Sequence, residues 1–478
     1  MLHILTADIH LIDLQTRLPF KYGIATMTNA PHAFVRVQLE VDGIVSTGVA
    51  ADHLPPKWFT KVPDKPLDDE VDEMLQVIEH AVKISQGLKG ATVFDLYRQI
   101  DEQQESWAQP IGFPPLLSHF GTSLVERAVI EAFARCSGQP FAQLVRENRL
   151  GIRLDEYDRR MAGVDPRELL PAEPRQSVIA RHTVGMADPL TESDISAEAR
   201  LDDGLPQSLA ECIRHYGLQH FKIKVSGQLD ADVERLRGVA SVIAEHAPAD
   251  FAFTLDGNEQ FKSLAQFQEF WQTLTARAQL QSFFQNLLFV EQPFHRDVAL
   301  DADVLADLPR WANRPPMIID ESDAGPHSVQ RAIALGYCGT SHKNCKGVIR
   351  GVAHACLLEL LRREQPDSNF IMSGEDLANI GPVALQQDLA VAATLGVESI
   401  ERNGHHYFAG LSAFPDGVQQ QVLETHPDLF RRTDSGWPSL DIRDGHLSLD
   451  SVLSAPLGVG FQIDVEQFNS AKDWRGRR

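Results

Sequence analysis

Apolar and polar positions change rhythm several times along the chain. In the first fifty residues they largely alternate. Phe34, Val35, Val37, Leu39 and Val41 mark a strand, Asp42-Gly43 is a hairpin signal, and Ile44-Val45 opens the returning strand. The period then lengthens. Val71, Met74, Leu75, Ile78 and Val82 recur at helical spacing, and a second helix is predicted from Val93 to Ile100. A third is predicted to start at Ser123, where Ser123 and Glu126 have the spacing of a capping box, and to stop at Gly138-Gln139-Pro140. Strands followed by helices predict a separate α+β unit over residues 1–150. Residues 151–176 are polar, charged and dotted with proline, and read as a linker or insertion.

From about residue 178 short β-rich runs alternate with helical stretches. The runs are IARHTVG, HFKIKV, FAFTLDG, LLFVEQP, MIIDES, GTSHKN, NFIMSGED and VESIERN, and segments such as Val233–Ala247 and Val352–Arg363 lie between them. Eight β-α units within 177–410 predict an α/β fold of the (β/α)8 (TIM-type) barrel kind. A doubly wound sheet would carry a glycine-rich phosphate turn after its first strand, and none follows IARHTVG. The rhythm is lost after residue 410. Residues 411–478 are expected to pack back on the N-terminal unit, completing a capping domain.

Composition narrows the function classes. At 478 residues the chain exceeds the usual size of one core-bearing domain. Its 44 Lys and Arg against 66 Asp and Glu give a formal charge of −22, which argues against nucleic acid or an anionic membrane as partner. There is no apolar run of about 18 residues, and MLHILTADIHLIDL lacks the features of a secretory signal. The five cysteines form no C-x-x-C pair, so neither a disulfide framework nor a structural zinc site is predicted and a reduced cytoplasm is expected.

The candidate chemistry stands at the strand ends. The second run carries Lys222 and Lys224, the third ends in Asp256 with Asn258 beyond it, the fourth in Glu291, the fifth in Asp320-Glu321, and the sixth in Lys343. Intervals of 32, 35, 29 and 23 residues separate Lys224, Asp256, Glu291, Asp320 and Lys343, about one β-α unit each. These charges are therefore expected in the C-terminal mouth of the barrel, where barrel enzymes do their chemistry. Three converging carboxylates repel unless a cation neutralises them, and hard oxygen donors suit Mg2+ better than zinc. Lys222 and Lys224 share a strand face and are expected to depress each other's pKa. Such a site would hold a small carboxylic acid, let a lysine remove its α-proton and stabilise the enediolate.

At these residues the sequence resembles the enolase superfamily, in particular its muconate-lactonizing-enzyme and dipeptide-epimerase branch. FKIKV is similar to that branch's K-x-K strand, TLDGN, FVEQPF and IIDES to its three metal-ligand strands, and SHKNCKG to its strand-six lysine. SGEDLANIG is similar to its seventh unit, and VRVQLEVDGIVSTG to its capping hairpin. The resemblance implies Mg2+ held by Asp256, Glu291 and Asp320, an acid/base pair of Lys224 and Lys343, Lys222 as electrostatic helper, and Asn258 and Glu321 as supports of the ligands. It implies a racemase or epimerase, with cycloisomerase or dehydratase (lyase) chemistry through the same intermediate, and a symmetric homo-oligomer.

The sequence also departs from that branch. The branch places paired glycines after its strand-six lysine. Here Lys346-Gly347 continues as Val-Ile-Arg, which leaves Lys343 and Lys346 both open. NFIMSGEDL has no histidine, so the histidine-base racemases are disfavoured.

Taken singly, each of these charges would be a solvated surface group; it is their register on successive strands that marks a site. Two loops of the capping unit stand where family members close the site. They offer Lys21, Tyr22, His53 and Trp58 as substrate contacts, and a cationic pair there would suit a second anionic group. Glu375 (with Asp376) after strand seven and His405 (with His406) after strand eight are further candidates, weighed against structural hydrogen bonding and helix capping. A metal-dependent hydrolase would want a His-x-His cluster, and the first barrel run offers His182 alone. A non-catalytic metal-binding barrel would have no use for the two lysines.

Overall fold

The computed structural model describes residues 1–22 and 24–476; Gly23, in the first capping loop, and the last two residues lie outside the described residues. Alternation in the N-terminal unit resolves into three antiparallel strands, Leu2–Tyr22, Ala25–Val41 and Ile44–His53. Asp42 and Gly43 both take positive φ, 49° and 88°, as the tight hairpin between the last two requires. Helices Leu67–Ser85, Val93–Ala108 and Pro115–Ser137 follow.

The third helix differs from the sequence expectation. It begins eight residues earlier, at Pro115, so Ser123 lies inside it and donates to the Phe120 carbonyl at 2.8 Å. Its side chains from Leu116 to Ala134 are buried all round, because it is sandwiched between the cap sheet and the barrel. Gly48 permits that packing, since a Cβ there would stand 2.1 Å from the Ala128 carbonyl oxygen. Within the sandwich Arg127 is fully buried and pairs with Asp52 at 2.7 Å.

The linker, read as a loop, is a packed connection. It makes two short 3-10 turns and a helix, Pro166–Leu169, which bury Leu154, Tyr157, Met161 and Leu169.

Eight parallel strands then close on themselves: Ser177–Val184, His220–Lys224, Ala252–Asp256, Leu287–Glu291, Met317–Ile319, Gly339–His342, Ile371–Gly374 and Ser399–Arg402. The ring closes where Arg402 pairs with His182. The tail serves both units. His446–Ser448 adds to the outside of the first barrel strand, and Asn469–Ser470 pairs with the first cap strand, His10 against Ser470. Among the described residues no helix is long and apolar enough to cross a membrane.

Candidate active site

The parallel register sets the strand ends level with one another. Lys224 pairs with Asp256, Asp256 with Glu291, and Glu291 with Ile318, two residues before Asp320. Residues at one level of a parallel sheet point the same way, so all four charged side chains face the barrel mouth. Strands two and six lie four apart in a ring of eight. Lys224 and Lys343 therefore approach from opposite sides, and both line a single cavity with about 450 Å³ of empty space.

Lys224 Nζ is 2.5 Å from Asp256 Oδ2, and Lys343 Nζ is 2.5 Å from Asp320 Oδ2. Lys222 sits between the acids: its Nζ is 3.1 Å from Asp256, 2.8 Å from Glu291, 2.7 Å from Glu375 and 3.0 Å from Glu401. Burial by itself would lower the Lys222 pKa, but the four carboxylates outweigh it and hold the ammonium well above its ordinary value. Lys343 is raised in the same way, burial opposing and Asp320 prevailing. The expected mutual depression of Lys222 and Lys224 is thus corrected for Lys222: the acids around it decide its charge. Lys346 points away from the cavity, donating to the Ser341 carbonyl at 2.6 Å and to Asp320 at 3.2 Å. The strand-six lysine in the cavity wall is Lys343.

The cap supplies an apolar roof of Phe20, Tyr22, Met27, Pro55 and Trp58. Tyr22 donates to the Pro56 carbonyl at 2.8 Å, and Phe20 stacks on Tyr407 with ring centroids 4.2 Å apart. Four expected substrate contacts do not line the cavity. Lys21 is exposed. His53 is buried between the units against the Leu377 carbonyl, 3.2 Å away. Glu375 is drawn below the floor by Arg181 and Lys222. His405 turns outward to His182, 3.1 Å from it. Each was a candidate by its place in the sequence, which does not record the direction that packing gives its side chain.

Asn258 does line the cavity, and its backbone N–H donates to Asp256 Oδ1 at 2.9 Å. Glu321 is buried beside it. Burial, then the neighbouring Asp320 and Glu259 charges, push its carboxyl up to about 7. Asp376, the candidate beside Glu375, does line the cavity; sequence reading missed Glu401 and Asn403, which complete the wall, and Arg181, which anchors Glu375. Glu401 and Asn403 sit at the end of strand eight, so the signal that found Asp256 was present for them too. Arg181 alternates with His182 on strand one and faces inward.

The donor set fits a hard divalent cation in kind. Asp256, Glu291 and Asp320 are buried carboxylates on successive strand ends. Glu291 Oε2 and Glu321 Oε2 are buried without a hydrogen bond, although Lys222 Nζ stands near the former. Burial and the Glu375 charge hold the Glu291 carboxyl well above its usual range. The expectation of a ready cage is corrected, however. Among the described residues the one group of three His, Cys, Asp or Glu ligand atoms within 4.8 Å of one another is His182, Cys212 and His406, at another place in the fold. The three acids meet through Lys222 and Lys343, and an ion would have to exchange with those ammonium contacts.

No protein-family model matches the sequence, and no curated protein matches it either. Solved structures share the fold over almost the whole chain. An N-succinyl Arg/Lys racemase from Bacillus cereus superposes with a TM-score of 0.61 at 16% identity, covering 98% of each chain. A muconate lactonizing enzyme from Pseudomonas fluorescens, complexed with muconolactone, gives 0.58 at 15% identity and 97% of each chain. A dipeptide epimerase from Cytophaga hutchinsonii, complexed with Mg and a dipeptide, gives 0.56 at 16% identity over 95% of this chain and 98% of that one. The chain therefore has the barrel-and-cap fold of these enzymes.

Proposed function

We propose that the chain is an enolase-superfamily enzyme of the mandelate racemase/muconate lactonizing group that removes the proton α to a carboxylate and returns one to the same carbon, as a racemase or epimerase. The observation that supports this most is the placement of Lys224 and Lys343 on opposite walls of one cavity. An amine on each face of a trigonal carbon permits inversion, because one takes the proton and the other delivers its replacement. Asp256, Glu291 and Asp320 would hold Mg2+, which when bound supplies charge stabilisation to the enediolate. Lys222 keeps Glu291, Glu375 and Glu401 together beneath the reacting carbon. Tyr22 and Trp58 close the cavity and exclude water.

The roof also bears on the substrate. The residues that the cap contributes, Phe20, Tyr22, Met27, Pro55 and Trp58, carry no charge, and Lys21 is exposed and not among them. The part of the substrate remote from the carboxylate is therefore an uncharged, apolar group, and a second anion has no partner there.

The test is α-proton exchange in D2O over a panel of apolar-substituted carboxylic acids with Mg2+, followed by NMR. Exchange should stop on chelation and return with Mg2+. Lys224→Ala and Lys343→Ala should each abolish exchange with one enantiomer at least. Exchange by either variant at the wild-type rate on a genuine substrate overturns the assignment. A rearranged or dehydrated product would identify cycloisomerase or dehydratase chemistry through the same intermediate.

A further inference from the structure

A second candidate centre lies on the outside of the barrel wall, and nothing in the proposed reaction uses it. His182 is on the first barrel strand, Cys212 on the following helix, Leu209–Tyr216, and His406 on the short helix Gly404–Tyr407 after strand eight. All three are buried, Cys212 completely. One ligand atom from each lies within 4.8 Å of the other two. From these positions we infer that His182, Cys212 and His406 form a binding site for a thiophilic divalent cation of the Zn2+ class, which staples the seam where strand eight closes on strand one.

The geometry suits that ion. Bond lengths of about 2.3 Å to sulfur and about 2.05 Å to nitrogen place S and N about 3.5 Å apart along a tetrahedron edge. Cys212 Sγ is 3.5 Å from His406 Nδ1. His182 Nδ1 is hydrogen-bonded to His405 Nε2 at 3.1 Å, which orients the ring, and with Nδ1 so engaged Nε2 would be the atom that binds the metal. Burial lowers both imidazoles and pushes the Cys212 thiol up, so the rings offer lone pairs while the thiol has to give up its proton to the metal. The nitrogen and sulfur donors select against Mg2+, so the two centres would take different metals. Binding converts the Cys212 thiol to thiolate with release of one proton to solvent. Asp188, whose carboxylate acts on His182 and accepts from Tyr407 at 2.6 Å, lies close enough to offset the remaining positive charge.

The site escaped sequence reading because its ligands come from three elements spread over more than two hundred residues and show no C-x-x-C or His-x-His spacing. It also gives His405 a role, orienting His182.

The experiment is metal uptake by the full-length protein in excess Mg2+, added to compete for the acid site. Equilibrium dialysis against Zn2+ should leave about one zinc per chain. Cobalt substitution should give the intense near-ultraviolet absorption of a thiolate–cobalt bond. Cys212→Ser, which retains a small polar group beside His406, should lose both signals, and Asp320→Asn should keep them. A wild-type cobalt spectrum without sulfur charge transfer, or zinc uptake equal in wild type and Cys212→Ser, overturns the inference and leaves a hydrogen-bonded Cys–His cluster. The wild-type cobalt spectrum decides even if the serine variant does not fold.

Discussion

The Lys343 ammonium stands over the Trp58 ring, 5.0 Å from its centroid. A lysine of the barrel thus meets an aromatic of the cap at the roof of the cavity, and a cation held there gains about 0.5–2 kcal/mol. Trp58→Ala should lower kcat/KM about tenfold or more, since about 1.4 kcal/mol is one decade. Trp58→Phe, which keeps a ring face, should recover part of the loss. Steady-state kinetics on both variants checks this, and equal losses would show that a ring face under Lys343 is not what the reaction uses.

Trp58 is positioned from the barrel side. Arg296 donates to the Trp58 carbonyl at 2.9 Å and to the Phe59 carbonyl at 2.8 Å, while Glu259 grips the same guanidinium at 2.7 Å. Lys61, also on the cap loop, reaches Glu259 at 3.2 Å. Arg296→Met should free this loop. KM should rise and kcat fall together, as for a loosened lid, and limited proteolysis should cut earlier within residues 57–66. Kinetics and a cleavage pattern identical to wild type would remove Arg296 from this role.

The barrel was legible because its strands are short, β-branched and spaced by helices, and the acids Asp256, Glu291 and Asp320 stand at their ends where alternation predicts their direction. The same logic missed Glu401, although it occupies the matching position on strand eight. Side chains outside the barrel strands fared worse. His53 and His405 turn away from the cavity, because packing between units sets their direction and no local pattern records it. Glu126 shows the same limit in a helix. Its spacing from Ser123 mimicked a cap for its own helix, yet the structure uses it to cap another. The direction of the Lys222 pKa also depended on two acids, Glu375 and Glu401, that only the closed ring brings to it.

Lys222 is 1% exposed and holds four carboxylates together. Removing one partner of a buried ion network leaves uncompensated charge and costs about 3–5 kcal/mol. Lys222→Met, close to lysine in length, should therefore lower the unfolding free energy by that amount, read as a lower urea midpoint with an unchanged m-value. Mg2+ should restore more stability to the variant than it gives the wild type, because the freed acids become available to the ion. A variant as stable as wild type in the absence of metal would show that the acids reprotonate at little cost.

Glu126 provides a pH test of the contact between cap and barrel. From the cap helix it accepts the backbone N–H groups of Val348, at 3.0 Å, and Ile349, at 2.7 Å, the first residues of the barrel helix Val348–Glu364. That helix follows the loop carrying Lys343, so Glu126 joins the cap to the active-site side of the barrel. Burial is the largest influence on this carboxyl and pushes it up to about 7 from 4.5, although the two N–H groups oppose the rise. Between those values the folded protein keeps a proton that the unfolded chain releases. The folded state binds more protons, so stability falls as pH rises. The contribution is complete below about 4.5, declines through the interval and is lost above about 7. Glu126→Gln keeps an acceptor for one N–H and cannot titrate. The stability of wild type minus that of the variant, from urea unfolding at several pH values, should decrease across this window and level off above it. A difference that is flat or rises with pH would mean that Glu126 is ionised throughout and that its hydrogen bonds to the barrel helix outweigh its burial.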